Sequence, residues 1–307
     1  MKLGINYKAD VAQMVEQHIR NVWVGGSSPF IGTNFIIKLR LIMKKFLTLL
    51  FFSLFSLQVL ADGKPNIVIS IAPLASLVKM VTGDLAYVNV IQKTGSCPHH
   101  FHLKPSDIFK IQNADFLFLI DEKFESSIAK YSKKTLGKKI IISEFKNLHI
   151  KDHNFHLWLD INNALVILEN IKNLMIEAGL DKEILNQNYL ASIDSIKHIK
   201  IVKPAKDTLI LGESLSYLTN EEENSFKLHS ALSLKRLQEL KSYIKTHNIN
   251  CIIRDPEIKE NMITNFYNGK LIELDAENWE LKNSDLHELY QNYMEEIYRK
   301  IALCYSK

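Results

Sequence analysis

Tyr87-Val88-Asn89-Val90-Ile91, followed by Ser96-Cys97-Pro98-His99-His100-Phe101-His102-Leu103-Lys104-Pro105-Ser106-Asp107, is the stretch that decides the fold. The first five residues are apolar and partly β-branched and read as a strand. Pro105-Ser106-Asp107 reads as a helix start, with proline in the first turn and Ser or Asp able to cap free backbone N–H groups. Beyond that helix (106–113), Asp115-Phe116-Leu117-Phe118-Leu119-Ile120 is an apolar run of the kind a buried strand presents. Strand, helix and strand in this order make a parallel pair with a helical crossover. Three histidines in four positions therefore sit in a loop beyond a strand's carboxyl end, where α/β sheets hold ligands. Imidazole is the commonest protein ligand for zinc and suits several other transition metals. By itself the cluster also reads as an exposed loop that holds no metal.

The same alternation extends in both directions. Asn66-Ile67-Val68-Ile69-Ser70-Ile71 is a strand, and 75–82 a helix stopped by Gly83. A helix over 124–134 and a strand over 139–142 complete a first α/β unit. Helices are expected at 162–178 and 182–200, the second broken by Lys203-Pro204. Then come strand 208–211, helix 233–247, strand 250–254, helix 258–268, strand 270–274 and a final helix over 286–303. The expected fold is α/β with two lobes, each a parallel sheet flanked by helices, joined by a connecting helix. The expected division is 62–180 for the first lobe, 181–206 for the connector and 207–307 for the second lobe.

The beginning of the chain reads differently. Met43-Lys44-Lys45 precedes an almost wholly apolar run over 46–60, and Val59-Leu60-Ala61 ends it in a small-residue pattern. That is the pattern of a secretory signal peptide at 43–61, its apolar core of about 15 residues being short for a membrane span. Residues 1–42 then read as translation of an upstream non-coding region; the alternative is a cytoplasmic extension with a membrane anchor. Of the 38 basic and 34 acidic residues, seven and two fall in 1–61, so residues 62–307 carry 31 against 32. No basic stripe points to nucleic acid. A secreted chain without a cysteine at the cleavage site is expected in the periplasm, unlipidated and monomeric. Three cysteines follow, Cys97, Cys251 and Cys304. An oxidising compartment permits one disulfide and leaves one thiol over. Closing the loop of about 50 residues between Cys251 and Cys304 would contribute roughly 4 kcal/mol in the chain-entropy view. Cys97, two residues before His99, also reads as a possible metal ligand.

Other candidate ligands stand at loops or strand ends. His156 lies in Asn154-Phe155-His156-Leu157-Trp158-Leu159-Asp160, alternating with apolar neighbours as a core histidine also would. Glu213 follows strand 208–211, where a carboxylate also caps a helix. Asp275 closes Leu271-Ile272-Glu273-Leu274-Asp275. Imidazoles and carboxylates at such positions on both lobes supply N and O donors for a divalent first-row metal.

Leu103-Lys104-Pro105-Ser106-Asp107, Gln112-Asn113-Ala114-Asp115, Pro98-His99 and His156-Leu157-Trp158-Leu159-Asp160 closely resemble the zinc- and manganese-binding solute-binding proteins of ABC importers. The resemblance is nearest to the zinc-uptake members and covers essentially all of 62–307. It implies a carrier, not an enzyme, with the metal in the cleft between the lobes and an ABC permease as partner. It implies His99, His156, Glu213 and Asp275 as metal ligands, and it matches Cys251 and Cys304 to a disulfide of zinc-uptake members. The transported ion is expected to be Zn2+, with Mn2+ the alternative; a secreted zinc hydrolase is a remoter one, for no H-E-x-x-H run appears. Two registers are open at the third ligand. With one residue missing it falls on Glu213; if Tyr217 sets the register it falls on Gly212 and is lost. The long His/Asp-rich loop common in zinc members is reduced to His149 and His153, and the connecting helix is about a dozen residues short. His100, His102 and His229 are spare imidazoles that could substitute. Because imidazole ligands bind metal in their deprotonated form, affinity is expected to fall below about pH 6.

Overall fold

The computed structural model describes residues 63–92, 102–152, 154–219, 225–226, 233–277, 279 and 285–306. The expectations for 1–61, for Cys97, His99 and His100, and for His153 and His229 lie outside the described residues. The first sheet comprises β1 (Asn66–Ile71), β2 (Tyr87–Gln92), β3 (Phe116–Leu119) and β4 (Lys138–Ile141), in the order β2-β1-β3-β4. All three pairings are parallel, Ile67 facing Val88 on one side and Phe116 on the other. The crossovers are α1 (Ala72–Thr82), α2 (Pro105–Gln112) and α3 (Ser126–Ser132). Helix α2 starts where the proline signal places it, and the Asp107 carboxylate reaches back 3.0 Å to the Lys104 amide.

Helices α4 (Ile161–Glu177) and α5 (Lys182–Lys197) follow, capped by Asp160 and Asp181, whose carboxylates accept from the amides of Asn162 and Ile184. The second sheet comprises β5 (Thr208–Leu211), β6 (Ser225–Phe226), β7 (Cys251–Arg254) and β8 (Lys270–Glu273). Its order, β6-β5-β7-β8, repeats that of the first sheet, and it too is parallel. In each sheet the first strand lies between the second and the third. The chain therefore reverses its direction of winding there, and ligands in such sheets gather at that crevice. Helices α6 (Leu234–Thr246), α7 (Asn261–Thr264) and α8 (Leu286–Ala302) accompany the second sheet.

Lys64–Lys307 is one compact unit. The reason is α8, which leaves the second sheet and packs on α1 of the first half. Its Leu289, Met294, Ile297 and Ile301 join one core with Ile69, Leu77, Ile167 and Ile171, and with Ile210, Ile253 and Leu274 of the second sheet. Each such side chain, fully buried, contributes about 1.5–3 kcal/mol. Cys304, just past α8, is joined to Cys251 at the start of β7, their Cα atoms 5.6 Å apart. No helix among the described residues is long and apolar enough to cross a membrane.

Two elements depart from the sequence reading. The helix expected over 258–268 shrinks to the single turn α7. Arg254, buried at 6% exposure, donates to the Ile258 carbonyl at 3.0 Å and pairs with Glu260 and Glu273. A carbonyl held by a buried guanidinium starts no helical ladder, and Asp255 takes the Glu257 amide into a tight turn (2.9 Å). Helix α5 stops at Lys197, so Lys203-Pro204 lie beyond it, outside any helix or strand, rather than breaking it.

Candidate metal site

His156 ends the segment that leads from β4 into α4, directly before a buried 3-10 turn, Leu157–Leu159. The residue is 8% exposed, with Phe124 edge-on to its ring at 5.1 Å and Trp158 tilted against it at 5.1 Å. Asn154 sets its orientation. The Asn154 side-chain oxygen accepts from the His156 amide at 2.9 Å and lies 2.7 Å from His156 Nδ1. The amide nitrogen of the same side chain donates to the Glu213 carbonyl at 2.6 Å and to Ser216 Oγ at 2.8 Å. With its nitrogen so engaged, Asn154 presents oxygen to the imidazole, which assigns the proton to Nδ1 and the lone pair to Nε2. A metal-ligating histidine needs that tautomer and a partner of this kind. Tyr217 adds a second anchor, its hydroxyl donating to the Asn154 carbonyl at 2.7 Å.

His156 Nε2 lies 3.1 Å from Glu277 Oε1. A lone pair facing a carboxylate oxygen at that distance requires a cation between or beside them, either a proton or a metal. Glu277 follows Asp275 by two residues, and the Asp275 carboxylate accepts the Glu277 amide at 2.8 Å. Burial raises the pKa of Asp275 above the usual carboxylate value; the Glu277 amide opposes that, and the charges of Asp255 and Glu277 add to it. Asp255 lies just past β7 and accepts a short hydrogen bond from the Ser214 hydroxyl. Half-buried carboxylates thus crowd the carboxyl end of the second sheet, beside an imidazole of the first half. Such a place is electrostatically disposed to take a cation.

Glu213 lies just past β5 with an exposed side chain, and its link to His156 runs through its carbonyl and Asn154. Gly212 has φ +127°, and a Cβ there would stand 2.5 Å from Asp255 Cβ. Position 212 therefore has room for no side chain, ligand or otherwise, in this backbone. His102 is exposed three residues before α2, and His149 lies 3.8 Å from Asp160. The structure thus joins His156 and the Asp275 segment and brings Glu213 near through its backbone. Among the described residues no three His, Cys, Asp or Glu side chains form a complete metal shell. Asn154, Asp255 and Glu277 were missed in the sequence. Their signals were slight, an amide two residues before His156 and acids at or just past strand ends.

The family described as ZnuA, zinc-uptake complex component A periplasmic, matches residues 67–206. The uncharacterized protein RP014 of Rickettsia prowazekii is 32% identical over 273 residues, covering 85% of this chain and 90% of its own. The zinc-binding protein AdcA of Streptococcus pyogenes serotype M3 is 25% identical over 240 residues, which span 64% of this chain and only 46% of AdcA. Among solved structures, the Mn-bound periplasmic metal-binding protein from Candidatus Liberibacter asiaticus superposes with a TM-score of 0.63. At 18% identity, covering 78% of this chain and 100% of that one, it shows a common fold. With two parallel sheets of matching strand order and a relative 32% identical over 85% of this chain, the chain belongs to the metal-binding solute-binding proteins of ABC importers.

Proposed function

We propose that this chain is a periplasmic zinc carrier, which captures the ion between its two lobes and delivers it to an ABC permease. The observation that carries the proposal is the contact between His156 Nε2 and Glu277 Oε1, an imidazole nitrogen set 3.1 Å from a carboxylate oxygen. The ligand set we propose is His99, His156, Glu213 and Asp275, with Glu277 at hand to take the place of Glu213, whose side chain is exposed. A carrier differs from a zinc hydrolase in closing the metal shell, so that no open position remains to generate hydroxide. Asn154 fixes the imidazole, Phe124 and Trp158 keep water from its faces, and the carboxylates neutralise the ion's charge. Manganese is the second reading, favoured by the number of oxygen donors around Asp275.

Isothermal titration of residues 62–307 with zinc, and with manganese in competition, tests the proposal. One zinc per chain, not displaced by a tenfold excess of manganese, is the expected result. Displacement by manganese would reassign the cargo, and no binding of either ion would refute the carrier reading.

A further inference from the structure

We propose that Tyr293 is a positioning residue for the metal, its hydroxyl tying the segment that carries His156 to the segment that carries Asp275 and Glu277. The inference rests on the carrier reading of that site. Tyr293 lies on α8, 8% exposed, and its hydroxyl donates a short hydrogen bond to the Ala276 carbonyl, between the two acids. A tyrosine hydroxyl has one proton, and that proton is committed to Ala276. The remaining lone pair accepts from Trp158 Nε1 at 3.4 Å, two residues beyond His156. One turn earlier, Tyr290 donates to the Trp158 carbonyl at 2.7 Å, and its amide is held by Ser76 Oγ of α1 at 2.9 Å. Trp279, beyond Glu277, meets Trp158 edge-on at 5.8 Å.

The last helix is therefore anchored to the first half and holds both segments from behind. The bonds are directional, and the groups that make them are buried. They set how far the imidazole stands from the carboxylates, now 3.1 Å between Nε2 and Oε1. Loss of a partner bonded directly to a ligand lowers metal affinity by roughly 10–100-fold, and Tyr293, one bond farther out, is placed at the low end of that range.

The test compares Tyr293→Phe with the wild type and with Tyr298→Phe, a buried tyrosine farther along α8. Zinc affinity is measured by titration, and the visible absorption of the cobalt(II) form reports the coordination sphere. We expect Tyr293→Phe to bind zinc at least about tenfold more weakly and to shift the cobalt bands, with Tyr298→Phe unchanged in both. Should Tyr293→Phe merely destabilise the fold, its cobalt form would keep the wild-type bands in the bound fraction. That result, or wild-type zinc affinity in Tyr293→Phe, would overturn the proposal while leaving the carrier intact. A wild type that binds no zinc would overturn both.

Discussion

Replacing Gly212 by alanine adds one methyl group where the backbone and its neighbour both refuse it. The residue has φ +127°, which an L side chain rarely adopts, and holding it there costs about 1–3 kcal/mol. The new Cβ would stand 2.5 Å from Asp255 Cβ and 3.6 Å from its Cα. Those atoms are close to the main chain, so a side-chain rotation does not relieve the overlap. Forcing β5 and β7 apart at their carboxyl ends costs about 1–3 kcal/mol more. The sum, about 2–6 kcal/mol, is a large share of the 5–15 kcal/mol typical of a folded domain. Urea unfolding of Gly212→Ala at unchanged m reads this directly. A loss below about 1 kcal/mol would refute the steric argument. Gly212→His extends the test to the site. If position 212 were a vacated ligand position, histidine there would raise zinc affinity; the packing against Asp255 predicts that it lowers it.

Other predictions follow from other contacts. Cys304→Ser opens a loop spanning 53 residues, and should cost about 4 kcal/mol and lower the Tm by roughly 8–16 °C, read by calorimetry without reductant. Equal Tm values for the two proteins would contradict the link. Asn154→Ala removes the oxygen that orients His156 and should weaken zinc binding roughly 10–100-fold in a titration, whereas an unchanged affinity would deny the tautomer assignment. Glu125, directly before α3, is buried, its carboxylate accepting from the amides of Ile120 and Asp121 just past β3, and burial raises its pKa from the ordinary 4.5 to about 7. The native state therefore keeps a proton that the unfolded chain has already released, and this group's contribution to stability falls as pH rises from about 4.5 to about 7, by about 3 kcal/mol. Glu125→Gln should remove that slope in urea unfolding between pH 5 and 8, and parallel profiles for the two proteins would refute it.

The fold was legible because its strands are short apolar runs set between helices with clear stops. Ile67 to Ile71, Phe116 to Leu119 and Leu209 to Leu211 could hardly be anything but buried strands in a parallel sheet. The segment 258–268 was read by its helical composition, but a buried cation from the neighbouring strand, Arg254, took the carbonyl that a helix needs. Strand β6, at two residues, is too short to show any period. Helix α8 was visible as amphipathic, yet nothing local says that its buried face belongs to the first half of the molecule. The same limit applies at the site. His156 and Asp275 stood out as chemistry at the ends of elements, whereas Glu277 matters only because folding brings it, 121 residues from His156, to within 3.1 Å of the imidazole, and Asn154 is held in place by Glu213, 59 residues away. Tertiary neighbours, not local pattern, decide such roles.

Metal content by plasma mass spectrometry on residues 62–307, beside a His99→Ala/His156→Ala double variant, tests the central claim most directly. About one zinc per wild-type chain and none in the variant is the result this account predicts. Stoichiometric metal in neither protein would contradict it.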